Sequence, residues 1–321
     1  MATTPISTSH KLTVTQWEAG LYKTYQEKTF FSKFKGTSEN SVVQVKRDLV
    51  KKPGDAIVFG LSGILTGAGV TGNNVLGTGD TSNEEAMNFF NQRIVIDQIR
   101  NGTRIAGLMD EQRTAFSLRE AAKTQLTDWM AYNEDAALFT AVTGADIVSG
   151  TLITGTGLTV DAIIDMKKEA MFPTADNISV GNTTRKIKPI KLAMGEEVFV
   201  LGVNPADAAA LKKSADFKTY QYTGNNRGGS NPIFTGALGN IDGVIIQEHS
   251  GFPVGKPVIM GAQALFLAYS NEILYGEKQF DYDNQSGFMI GSVRGVQLAK
   301  FTDEAGTEQG SHGAIQFDLT A

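Results

Sequence analysis

The rhythm of apolar and polar positions changes several times along this chain of 321 residues, and each rhythm predicts a different element. The most regular segment runs from Met109 to Val142. Ala115, Ala122, Leu126 and Trp129 recur there at helical spacings, and Leu138 and Val142 prolong the stripe, while Arg113, Arg119, Glu120, Lys123 and Asp128 take other faces. No proline interrupts it and Gly144 offers a stop, so the pattern predicts one unbroken helix. At about 1.5 Å per residue it would be roughly 50 Å long, about three times the typical globular helix. Upstream, "VVQVKRDL" and "AIVFGLSGIL" read as strands around Pro53-Gly54, which predicts a β-hairpin between them. Downstream the pattern becomes mixed. "LTVDAIIDMKKEAMF" reads as a helix capped by Thr159, with Pro173 just beyond it. "EEVFVLGVNPADAAALKKSADF" reads as a strand feeding a helix, with Asn204 at the cap and Pro205 at the first helical position. "VIIQEHS" and "PVIMG" read as strands, "AQALFLAYS" as a short apolar run, and "GFMIGSVRGVQLAKF" and "GAIQFDLTA" as closing strands. The fold class is α+β.

Two segments lack such a rhythm. Residues 1–40 carry Trp17, Tyr22, Tyr25, Phe30, Phe31 and Phe34 among lysines, a mixture expected to pack on its own body or on a neighbour. Residues from about 42 to 79 make an extended excursion with little core, which a compact enzyme rarely needs.

Composition narrows the picture only a little. Hydrophobic residues are 41% and charged residues 20% of the chain, ordinary values for a folded protein. Cysteine is absent, which excludes disulfides and thiolate chemistry. The start, "MATTPISTSHKLTVTQ", has no apolar core of an export signal, and the uncharged stretch from Ala56 to Gly79 is broken by glycines. A span needs roughly 20 apolar residues, so a soluble chain with no membrane contact is expected. The net charge of −5 is uneven: residues 1–55 carry nine Lys/Arg against five acids, and residues 271–321 carry eight acids against Lys278, Arg294 and Lys300. These ends can attract each other within or between subunits.

Candidate chemistry is sparse. "GAGVTG", with Gly67, Gly69 and Gly72, matches the GxGxxG pattern of a dinucleotide loop. It is followed by "NNVLGTGDTSNE", which is turn chemistry where a helix N-terminus is required. His10, His249 and His312 are far apart, and His249 is expected to be solvent-exposed. Glu84-Glu85, Glu196-Glu197 and the run Arg185, Lys186, Lys188 and Lys191 read as solvated charges. No metal spacing, nucleophile elbow or phosphate-loop lysine is present, so no cofactor and no catalysis are expected.

The order of these parts, an aromatic arm, a long loop, a very long helix, an α/β region and closing strands, resembles the major capsid proteins of tailed bacteriophages with the Hong Kong 97-type fold. "WEAGLYKTYQEKTFFSKFKG", "LVKKPGDAIVFGL", "LTGAGVTGNNVLG" and "IDQIRNGTRIAGLMDEQRTAFSLREAAKTQLTDWM" are similar to a short-tailed-phage branch. "VFVLGVNPADAAALKKSADF" and "NPIFTGALGNIDGVIIQEHSGFPVG" are similar to the α/β domain of phage coat proteins more broadly. The resemblance implies an arm at 1–40, an extended loop at 41–100, a peripheral domain with the long helix at 101–150, an axial domain at 151–270 and a return to the peripheral domain at 271–321. It implies that copies form pentamers and hexamers of an icosahedral virion shell, built in the host cytoplasm around double-stranded DNA without sequence-specific binding. Trp17, Tyr22, Phe30, Phe31, Phe34, Lys51, Lys52, Gly67, Gly69, Arg113 and Arg119 are the expected subunit contacts. Portal, decoration and scaffolding proteins are implied partners, a separate scaffold being expected because the chain begins without a long charged helical segment. Lys51 and Lys52 lie in a loop suited to crosslinking, but no partner asparagine is identifiable. The alternatives are an encapsulin-type compartment with the same fold and, from a different class, an enzyme using Gly67–Gly72.

Overall fold

The structure is a computed structural model. It describes residues 29–47, 54–63, 65, 67, 69–73, 77–78, 81–82, 84–114, 116–144, 147–149, 157–172, 179–180, 183–184, 186–192, 195–218, 238–302 and 308–319. In chain order the first elements are β1 (Lys35–Gly36), β2 (Val43–Lys46), β3 (Ala56–Ser62), β4 (Phe89–Val95) and β5 (Asp97–Arg104), then helices α1 (Leu108–Arg113) and α2 (Leu118–Thr143). Next come β6 (Val148–Ser149), α3 (Val160–Met171), β7 (Ile190–Lys191), β8 (Glu197–Val203), α4 (Pro205–Lys213), β9 (Asn240–Ile241) and β10 (Val244–Glu248). The last are β11 (Val258–Met260), β12 (Leu265–Phe280), β13 (Gln285–Leu298), β14 (Lys300–Thr302), β15 (Glu308–Ser311) and β16 (Ala314–Gln316). Two compact units result: one contains residues 100–131 and 273–291, the other 29–99, 132–272 and everything from 292 on.

The larger unit is built around β8. Its sequence, "EVFVLGV", is apolar without alternation and is buried from Val198 to Val203, as a strand covered on both faces must be. It pairs parallel with β10 and antiparallel with β11, in a seven-stranded sheet of order β9-β10-β8-β11-β16-β6 with β7 also on β8. Phe199, Leu201 and Val203 share one core with Ile163 and Met166 of α3 and with Leu211 of α4. Val200 belongs to a second core with Phe31, Leu138 and Leu265. Gly202 is required here, because a Cβ on it would sit inside the ring of Phe252. The helix signals hold. Thr159 Oγ1 accepts from Ala162 N at 3.2 Å, and Asn204 Oδ1 accepts from Ala206 N at 3.0 Å, with Pro205 at the first helical position.

The hairpin is there, but with different strands. β3 pairs antiparallel with β4, Ala56 opposite Val95 and Ser62 opposite Phe89, and the glycine-rich segment lies in the loop between them. β2 pairs with β1 and, in parallel, with the start of β12, Val43 opposite Leu265. Burial explains the choice. Val43 and Val45 fit the core that holds Leu265 and Leu267, whereas Ile57 and Phe59 match Phe90 and Ile94 in a separate core with Phe266 and Phe301.

The long helix is broken. α1 ends at Arg113, Thr114 with ψ of 141° is extended, and α2 starts afresh at Leu118. Ser117 caps it, its Oγ accepting from Glu120 N at 3.4 Å in a Ser-x-x-Glu sequence that is itself a start signal. The 26 residues of α2 span roughly 39 Å at about 1.5 Å each. Arg119 then bridges the break, with Nε 2.9 Å from Glu111 Oε1.

β12 and β13 are longer than the apolar pattern implies. Leu265–Phe280 is one strand, so the division expected at residue 270 falls inside it. In the smaller unit Phe288 and Ile290 of β13 pack on Ala122, Leu126 and Met130 of α2. The strand β5 forms the edge of the five-stranded sheet β1-β2-β12-β13-β5.

Candidate functional site

Within the larger unit, α2 carries three consecutive polar residues, Asn133, Glu134 and Asp135, in the middle of its apolar stripe. Asp135 is 5% exposed, and its Oδ2 and Oδ1 accept from Phe30 N and Phe31 N, each at 2.9 Å. Buried backbone N–H groups need such partners, so the carboxylate fixes the beginning of the described chain against the helix. The rings of Phe30 and Phe31 complete the attachment. Phe31 lies 5.0 Å from Phe139 between centroids, and Phe30 lies 5.2 Å from Phe252.

Glu134 faces a second group of partners. It pairs with Lys35 and, through Oε2, with Arg294 Nη1 at 3.2 Å; Arg294 Nη2 donates to Asn133 Oδ1 at 2.7 Å. The Arg294 side chain is 1% exposed. Tyr269 also donates to Glu134, and its hydroxyl pKa is raised well above the usual phenol range, first by burial and then by the Glu134 charge and hydrogen bond. It therefore stays protonated and serves as a donor.

The second feature is the β3–β4 hairpin. One face is buried, and the other presents Val58, Phe89 and Val95, each more than half exposed, with Leu65 and Met87 further along. In the loop, Gly67 N donates to Glu85 Oε2 at 2.6 Å, so a carboxylate of the same chain holds the amide that a phosphate would need. Gly69 and Gly72 both have φ of +68°, where glycine is the natural residue, and among the described residues that follow, up to Val95, there is no helix.

The expected contact residues separate into three groups. Trp17, Tyr22, Lys51 and Lys52 lie outside the described residues. Phe30 and Phe31 are buried by their own chain, and Phe34 is partly buried against the same core, so the first two anchor the chain to its own body. Gly67 and Gly69 are exposed, as is Arg113, which pairs with Asp110 at 3.5 Å, whereas Arg119 is engaged by Glu111 and by Ser286 Oγ at 2.9 Å. His249 is half-buried, its ring stacked 4.7 Å from Phe139, which corrects the expectation of exposure. The acid pairs are exposed as expected. Arg47 and Glu272 form a two-bond pair at 3.1 and 3.2 Å, one link between the basic start and the acidic end. The clamp on α2 was not anticipated. Its signal was the Asn-Glu-Asp interruption of an apolar stripe.

Asp207 holds a separate loop. It is 6% exposed in the first turn of α4 and accepts from Gly255 N at 2.9 Å. Burial raises its pKa, the backbone donor opposing that shift. A raised carboxyl pKa contributes stability that is present below the unfolded value and lost as pH rises through the folded one. Asp207→Asn keeps an acceptor and removes the buried charge, so it is expected to be at least as stable as the parent at pH 7, with the difference shrinking below pH about 4. Asp207→Ala strands the Gly255 donor and is expected to lose about 1–3 kcal/mol. Urea melts of both variants at two pH values check the sign.

Comparison with known proteins agrees with this architecture. Residues 5–151 match the model of the phage capsid protein family. The chain is 26% identical to the major capsid protein of Pseudomonas phage KPP25, across 89% of each chain. Among solved structures it is similar to the capsid of Ralstonia phage GP4 (TM-score 0.77, 22% identity, 100% of this chain and 98% of that one). It is also similar to the Cyanophage Pam1 capsid (0.79, 20%, 100% and 99%) and to the head of Helicobacter pylori bacteriophage KHP40 (0.80, 17%, 97% of each).

Proposed function

We propose, for a chain that has the Hong Kong 97-type fold of tailed-phage capsids and matches their capsid family over its first half, that it is the major capsid protein of such a phage. Copies of it assemble into the closed shell of the virion. The observation that carries this reading is likeness to solved capsids over essentially the whole chain, loop and long helix included. The β3–β4 hairpin supports it, because its outer face exposes Val58, Phe89 and Val95 among Asn91 and Arg93, apolar groups that a second copy can cover.

On this reading the unit around β8 is the axial part near the five- and six-fold centres, and the unit containing 100–131 and 273–291 is peripheral. The shell encloses double-stranded DNA, and its net charge of −5 suits a lining that does not hold DNA tightly, since tight binding needs many cation–phosphate contacts. A separate scaffolding protein guides assembly in the host cytoplasm, and portal and decoration proteins join the shell. Its role is structural, without catalysis. The test is the mass and shape of particles formed by the expressed chain, by sedimentation and negative-stain electron microscopy, alone and with co-expressed scaffolding protein. Closed polyhedral particles or rings of five or six are expected; a chain that stays monomeric or dimeric under both conditions would refute the reading.

A further inference from the structure

In the smaller unit, one face of the sheet combines three glycines with the side chains of Phe280 and Met289. Glu277 of β12 lies within 3.9 Å of Arg119 and Lys123 of α2, so by strand alternation Gly276, Lys278 and Phe280 point to the opposite face. On β13, Phe288 packs toward α2, which turns Gly287 the other way. With Gly102 on β5, the three neighbouring strands each place a glycine beneath one cleft of about 380 Å³. Its wall is cationic and aromatic: the Arg104 guanidinium lies 3.9 Å from the Phe280 ring centroid and Lys278 Nζ lies 5.2 Å from it. Among the described residues neither cation has a carboxylate partner.

The same hairpin ends in an unusual turn. Asp281, Tyr282 and Asp283 have φ of 52°, 51° and 68°, three consecutive left-handed residues without a glycine. Asn284 closes the turn, its N donating to Asp281 O at 3.0 Å and its Nδ2 to Asp281 Oδ2 at 3.2 Å. Asn-Gly or Asp-Gly is the ordinary choice at such a tip, and an aromatic residue there is strained. Tyr282 is completely exposed, between two acids. Strain at a position where the side chain touches nothing in its own subunit is explained if that side chain has a partner elsewhere.

We propose that turn and cleft are the two halves of one contact between copies of this chain. The ring of Tyr282 of one copy enters the glycine-floored cleft of the next, beside Phe280, and the carboxylates of Asp281 and Asp283 meet Arg104 and Lys278. The fit has three parts. Phe280 and Met289 over the glycines offer apolar contact to a ring, a cleft of this volume is large enough for a phenol side chain, and two acids meet two cations without a carboxylate partner among the described residues. Arg104 suits the role because a guanidinium can stack on a ring and bind a carboxylate at once. The contact rests on the shell reading and specifies where one of its subunit interfaces lies.

The absence of cysteine makes the test direct. Asp283→Cys chains, which keep the Tyr282 ring, are co-assembled with Lys278→Cys chains, oxidised, and run on a non-reducing gel; a pairing of Asp283→Cys with Val254→Cys, an exposed site in the other unit, is the control. Disulfide dimers about tenfold above the control are expected, together with a loss of particle yield of about tenfold for Tyr282→Ala and little loss for Tyr282→Phe, the pattern of an anchoring aromatic. Closed particles whose dimers match the control, with Tyr282→Ala assembling normally, would overturn the contact and leave the shell reading intact. Such particles would reassign the cleft to another ligand, packaged DNA phosphate included. If the unsubstituted chain makes no closed particles with or without scaffold, both fall together.

Discussion

Replacing Asp135 with alanine is expected to destabilise the subunit by about 3 kcal/mol or more. The carboxylate is 5% exposed and accepts two backbone N–H groups at 2.9 Å. A net hydrogen bond to a charged group contributes about 1.5–3 kcal/mol, and a stranded buried donor costs a similar amount. Two such donors share one acceptor group here, so their losses do not simply add. Asp135→Asn keeps one acceptor oxygen but turns an NH2 group toward the other N–H, and an intermediate loss is expected. Denaturant midpoints of the unassembled subunit measure both. An Asp135→Ala variant as stable as the parent would show that Phe30 and Phe31 hold the chain without the clamp. The consequence for assembly is distinct from stability. The clamp fixes Phe30 and Phe31 against α2, so particle yield is expected to fall even at temperatures where the variant remains folded.

How much of this the sequence discloses depends on whether a signal is local. Thr159, Asn204 and Pro205 act within one turn of helix, and each does in the structure what its position predicts. The buried run "VFVLGV" was also legible as a strand, because burial on both faces removes alternation. Pairing was not. β2 and β3 flank a Pro-Gly turn and look like a hairpin, but their partners lie far along the chain in β12 and β4, chosen by which core each apolar face fits. The break before α2 has a local signal, Ser117 with Glu120, but the apolar stripe runs on across it and masks that signal. The second half of β12, "NEILYGEKQF", is polar and largely exposed, so its strand conformation is imposed by neighbouring strands more than by its own pattern. The clamp and the cleft are the extreme case. Asp135 meets Phe30 across 105 positions, and Gly102, Gly276 and Gly287 become one floor only when three strands lie side by side. The glycine pattern that matched a nucleotide loop by spacing proved to be a connection between strands, its first amide held by Glu85.

The largest single effect is expected at Glu134. Its substitution by alanine leaves Arg294, with a side chain 1% exposed, as a buried cation that has lost its ion pair with Glu134. Breaking one side of a buried pair costs about 3–5 kcal/mol, because the remaining charge cannot be rehydrated without opening the core. Lys35 is partly exposed and can turn to water, so it adds little to that cost. Tyr269 is not so placed: it is 2% exposed, its hydroxyl stays protonated, and without Glu134 it loses the acceptor that its environment was built around. The decisive measurement is therefore a cycle. Glu134→Leu and Arg294→Met are each expected to be severely destabilising, whereas the double variant removes both charges and should recover several kcal/mol relative to the sum of the two. Adding Tyr269→Phe to the double variant should recover about 1 kcal/mol more, although in the parent the same change removes a hydrogen bond and should cost about as much. Chemical denaturation of the six proteins decides the matter. If the double variant is as damaged as the sum, the polar cluster contributes more than mutual neutralisation of two charges: it sets the geometry by which α2 holds β13 and the entering chain, and apolar groups of similar size cannot reproduce that geometry.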